Sequence, residues 1–103
     1  MYTGQELIDR LTLLFEQFPI KRAALFGSYA RGDQTYKSDV DIILELDFSD
    51  KGISNFYVFW DKLEMEIKLK ADIITFDSLK AAPASFNKRV LNELRYIYEV
   101  LRI

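Results

Sequence analysis

The run Ile20–Phe26 reads as a β-strand, and it stops abruptly at Gly27-Ser28. Ten residues later Asp39-Val40-Asp41 opens a second β-forming run that continues to Leu46. This order joins a sharp turn after one strand to two carboxylates on one face of the next. A residue without Cβ at position 27 lets the backbone turn tightly and approach a ligand closely. Ser28 adds a hydroxyl and an N–H at the start of a helix, where a phosphate is well received. Asp39 and Asp41 are two residues apart on a strand, so their side chains point the same way. Two adjacent carboxylates repel, and one stays protonated unless a cation intervenes.

The residues missing from the chain narrow that cation. There is no histidine and no cysteine, so the usual general base, the commonest zinc ligand and thiolate sites are all excluded. Oxygen ligands remain, which favour magnesium, manganese or calcium. Magnesium takes a few carboxylates together with water and substrate phosphates, which suits this pattern. Four fixed identities at fixed spacing arise by chance in about one chain in a thousand of this length. The pattern is therefore read as a site.

Around it the chain alternates helical and strand periodicity. Thr3-Gly4-Gln5-Glu6 has the form of a capping box, and Leu7, Ile8, Leu11, Leu14 and Phe15 predict a helix from about residue 4 to 17. A short helix is expected through Ala30-Arg31, then a polar loop over 32–38. In the second strand Val40, Ile42 and Leu44 share one face and Asp39, Asp41, Ile43 and Glu45 the other. A loop is expected from Phe48 to Gly52, with Glu45 and Asp47 as charges on the rim. Ile53, Phe56, Trp60, Leu63 and Ile67 predict a second long helix, with Phe56 and Trp60 in the core and Tyr57 and Phe59 exposed beside it as a candidate partner surface. Ala71–Phe76 predicts a third strand, Asp77-Ser78 the cap of a short helical turn, and Phe86, Val90, Leu91 and Leu94 a last helix after Pro83. Residues 95–100 fit either period, and we read them as a short edge strand. No internal boundary or repeat appears, so residues 1–103 are expected to form one domain.

Asp72 lies near the start of the third strand, and pairing of that strand with the second would bring it beside Asp41. Three acids can build a two-metal site that activates a hydroxyl and steadies a leaving pyrophosphate. Such chemistry is mostly positioning and charge stabilisation, so it does not need histidine. Asp72 is the candidate general base.

Composition limits the partners. Fourteen Lys/Arg against sixteen Asp/Glu leave a net charge of −2, which argues against bulk binding to nucleic acid. No apolar stretch is long enough to span a membrane and no leader is visible, so a cytoplasmic protein is expected.

Leu25-Phe26-Gly27-Ser28-Tyr29-Ala30-Arg31-Gly32 followed by Ser38-Asp39-Val40-Asp41 resembles the nucleotidyltransferase superfamily of DNA polymerase β. It is most similar to the minimal nucleotidyltransferases, antitoxins paired with HEPN-domain toxins. The resemblance implies an α+β (α/β) fold of the polymerase β-like kind, a small mixed β-sheet with helices packed on one face. It implies that Gly27, Ser28 and Arg31 bind the nucleotide and that Asp39, Asp41 and Asp72 are the catalytic, metal-binding acids. Two magnesium ions are implied, with manganese as the alternative. The implied reaction transfers AMP from ATP to a hydroxyl of a HEPN-domain partner, with self-association left open. Larger relatives carry a second domain for the acceptor, and none is expected after the third strand here.

Simpler readings stand beside these. Gly27-Ser28 alone could be an ordinary strand-to-helix turn, Asp39 a strand-start cap and Asp72 a surface acid. Arg31 could be a solvated helix residue, and Asp33 reads as a turn residue. An acid in mid-strand among Val40, Ile42 and Ile43 is disfavoured and needs a reason. The alternative function is a non-catalytic binding module that neutralises a partner by contact.

Overall fold

The computed structural model describes residues 2–46 and 52–100, with the side chains of 52–55 left aside. Of the expected loop from Phe48 to Gly52, residues 48–51 lie outside the described residues, as does the rim charge Asp47, while Gly52 opens a helix.

Helix α1 (Gly4–Phe15) begins at the capping box. The Thr3 hydroxyl accepts the Glu6 N–H at 3.2 Å, and the Glu6 carboxylate accepts the Thr3 N–H at 3.2 Å. Two orphan donors are thereby satisfied, an arrangement worth about 1 kcal/mol at the cap. Strand β1 (Ile20–Phe26), helix α2 (Ser28–Arg31) and strand β2 (Val40–Leu46) follow. Helix α3 (Gly52–Ile67) leads to strand β3 (Ala71–Thr75). Helices α4 (Phe76–Lys80) and α5 (Ala84–Glu93) precede strand β4 (Arg95–Glu99). Phe76 thus opens a helix rather than closing a strand. The cap of that helix is Thr75, which exchanges hydrogen bonds with Ser78.

The four strands form one mixed sheet in the order β3-β2-β1-β4. β1 runs antiparallel to β2 and β4, and β2 runs parallel to β3. Parallel neighbours need a long crossover, and α3 supplies it. The ambiguous C-terminal segment is an edge strand, as expected, with a bulge opposite Ala23/Ala24.

Helices cover both faces of the sheet, not one. Ala23, Leu25, Val40, Ile42, Leu44 and Ile73 pack under α1 and α3. Ala24, Phe26 and Ile43 pack on the opposite face, against Leu79 of α4 and Val90 of α5. That second layer explains why Ala23–Phe26 is continuously apolar: the strand is buried on both sides.

The face of α3 also differs from expectation. Phe59 is 1% exposed and, with Leu63 and Ile67, forms the stripe against the sheet. Its ring centroid lies 5.9 Å from that of Phe15 and 5.0 Å from that of Phe18. Phe56 and Trp60 occupy the neighbouring stripe and are only partly buried, while Tyr57 is exposed as expected. Both stripes repeat every four residues, so spacing alone does not choose between them. Leu91, expected on the apolar face of α5, is instead exposed. Among the described residues no helix is long and apolar enough to cross a membrane.

Candidate active site

The site is assembled at one end of the sheet, where β1 ends and β2 and β3 begin. Phe26 pairs with Asp41 across β1 and β2, and Asp41 pairs with Asp72 across β2 and β3. The Gly27 turn, Asp41 and Asp72 therefore form a row over three adjacent strands. Parallel pairing puts the two acids side by side, as the sequence pattern anticipated. Asp39 stands just before β2, exposed beside them.

Gly27 has φ 72° and ψ −153°, a region that L side chains essentially do not enter. A Cβ at this position would also collide with the Asp41 carboxylate. The glycine is thus required by its backbone and by the close approach of the acid. Gly32 closes the one-turn helix α2 in the left-handed conformation.

Arg31 is held by two acids. Its Nε donates to Asp33 Oδ2 at 3.1 Å and its Nη1 to Glu93 Oε1 at 2.8 Å. Glu93 Oε2 in turn accepts the Gly27 N–H at 2.9 Å. One carboxylate at the end of α5 therefore ties both the turn and Arg31 to the helix. Asp33, read as a turn residue, is also an ion-pair partner.

A cavity of about 620 Å³ opens over this row, within the usual size range of small-molecule pockets. Gly27, Ser28, Arg31, Asp39, Asp41 and Asp72 all line it, so the structure brings together all six candidate nucleotide- and metal-binding residues. It adds Phe86, Arg89 and Glu93 from α5 and Trp60 from α3. Phe86, Arg89 and Glu93 follow helical spacing on one face of α5. That spacing was visible in the sequence, but nothing there indicated that α5 docks over the sheet end.

The electrostatics are those of an acidic site. The four acids Asp39, Asp41, Asp72 and Glu93 outnumber the two arginines, Arg31 and Arg89, in the lining. Burial, first, and then the charges of Asp72 and Asp39 push the Asp41 carboxyl up to about 6, against an opposing pull from Arg89. Like-charged acids at this density call for a cation. Among the described residues no three acid side chains are already arranged around a metal position. The donor set is open, as suits an ion that keeps water and takes phosphate oxygens from its substrate.

The chain matches the family model "Polymerase beta, Nucleotidyltransferase" over residues 10–101. It belongs to that family. This nucleotidyltransferase is 34% identical over 102 residues to the protein adenylyltransferase MntA of Thermococcus cleftensis, covering 94% of this chain and 98% of the relative. Its fold matches a chain of a toxin–antitoxin crystal structure with AMP-PNP (TM-score 0.69, 20% identity, 90% of this chain and 73% of that one). It also matches a chain from the complex of a tri-AMPylated Shewanella oneidensis HEPN toxin with MNT antitoxin (TM-score 0.64, 16% identity, 94% and 73%). The nucleotidyltransferase thus has the expected polymerase β-like fold and nearly the same span as MntA.

Proposed function

We propose that this nucleotidyltransferase transfers AMP from ATP to a hydroxyl of a HEPN-type partner protein and acts as its antitoxin. Residues 1–103 would serve as one catalytic domain. The observation that carries the reading is the row of Gly27, Asp41 and Asp72 under an acidic cavity. The names of its relatives support the rest: a protein adenylyltransferase, a toxin–antitoxin with AMP-PNP and an AMPylated HEPN toxin.

In this reading Gly27, Ser28 and Arg31 line the place of the triphosphate. Asp39, Asp41 and Asp72 would hold two magnesium ions, or manganese. When bound, these ions neutralise the triphosphate and polarise the phosphoryl group under attack. The acceptor oxygen forms a bond to the α-phosphorus, the bond to the bridging oxygen breaks, and pyrophosphate leaves. Asp72 takes the hydroxyl proton. In this reading the partner supplies the acceptor hydroxyl.

The test is direct. ATP labelled at the α-phosphate, magnesium and the partner protein should yield a covalently labelled partner, and γ-labelled ATP should not. Asp39→Asn with Asp41→Asn should cut labelling by about 100-fold or more, since metal-site charge stabilisation is worth several kcal/mol. Label persisting in the double variant would sink the assignment of these acids. Neutralisation of the partner with no label would favour the contact-only module.

A further inference from the structure

Two arginines line the cavity, and they differ in what already opposes their charge. Arg31 is matched by two carboxylates, Asp33 and Glu93. Because Glu93 also accepts the Gly27 N–H, Arg31, Glu93 and Gly27 form a brace that fixes the turn against α5. A phosphate approaching Arg31 meets a local group of one guanidinium and two carboxylates, with net negative charge. Arg31 can still present N–H donors there, but it brings no surplus positive charge.

Arg89 is the contrasting case. It sits one helical turn before Glu93 on α5 and is exposed. Among the described residues it makes no ion pair. Its guanidinium carbon lies 5.3 Å from the centroid of the Phe86 ring, three residues earlier on the same helix. Support by an aromatic face leaves the edge donors of the planar guanidinium free to meet two oxygens of a phosphate. It lines the same cavity as Asp39, Asp41 and Asp72.

We infer that Arg89 supplies the unmatched positive charge that binds the triphosphate in this cavity, while Arg31 chiefly braces the Gly27 turn. The inference rests on the nucleotide reading above and deepens it by naming a residue that the sequence motif does not contain. A guanidinium can meet phosphate oxygens bidentately, and such charge-assisted pairs are roughly twice as strong as neutral ones. Arg89 would thus discriminate nucleotides by phosphate number rather than by base.

Affinity measured by calorimetry for magnesium-ATP and for AMP tests this. Arg89→Ala should weaken magnesium-ATP by about tenfold or more, a difference of about 1.4 kcal/mol. The same variant should change AMP affinity by less than about twofold, and Arg89→Lys should recover part of the loss. Arg31→Lys keeps the charge but breaks the fork, so it should lower the melting temperature. Wild-type ATP affinity in Arg89→Ala would overturn the inference and leave the nucleotide reading standing. Equal weakening of ATP and AMP would also overturn it. If the unmutated protein showed no metal-dependent ATP binding, the nucleotide reading would fall and the inference with it.

Discussion

Burial and two neighbouring acids hold the Asp41 carboxyl protonated up to about pH 6, against an ordinary value of 3.8. Between those values the folded chain binds more protons than the unfolded one, so Asp41's contribution to stability falls as pH rises through this window. At neutral pH and without a cation, the ionised acid costs stability. Asp41→Asn removes the charge and keeps the shape. In EDTA near about pH 7.5 the variant should be more stable than the parent by about 1 kcal/mol after allowance for solvent screening, or roughly 4–8 °C in melting temperature. The difference should vanish by about pH 4, where the parent is protonated as well. Thermal melts across this range check both the sign and the window. A gap independent of pH would mean that the gain comes from packing rather than charge.

Helix α3 illustrates how an element is legible while its orientation is not. Its periodicity predicts a helix through Ile67, and the structure has one. The stripe of Phe59, Leu63 and Ile67 faces the sheet because Phe15 and Phe18 offer Phe59 a ring pocket. That pocket belongs to α1 and the turn after it, some forty residues away, and local spacing carries no record of it. Phe59→Ala should therefore cost about 3–5 kcal/mol in urea unfolding, the usual range for a large aromatic lost from a core. Tyr57→Ala, on an exposed position two residues earlier, should stay within about 0.5 kcal/mol. Comparable losses at both positions would refute the assigned face. The C-terminal strand is the opposite case: its residues fit two periods, and pairing with β1 decides for the strand.

On the scale of the molecule, the site exists only because four separate segments meet at one end of the sheet. Gly27 and Glu93 are 66 residues apart and share a hydrogen bond. Asp41 and Asp72 meet through strand pairing, and Arg89 arrives on a helix that packs on the second face. In the proposed function the acids and the triphosphate share a divalent ion, so ATP should stabilise the whole fold only when that ion is present. At about 100 times its dissociation constant, ATP should add about 2.7 kcal/mol of stability. The same melting shift in EDTA would argue against a metal-bridged triphosphate.

Sequence alone determined the local facts: most of the helices and strands, where the capping box sits, and that Gly27, Ser28, Asp39 and Asp41 form a turn and an acid pair. These follow from side-chain spacing and backbone sterics, which act over a few residues. Asp72 was legible as an acid at the head of a β-run, but its register beside Asp41 belongs to the sheet. Tertiary structure decided the second helical layer, the face of α3, the Glu93 brace and the entry of Arg89. Those depend on which surfaces dock across long separations, where burial and shape choose among stripes of equal periodicity.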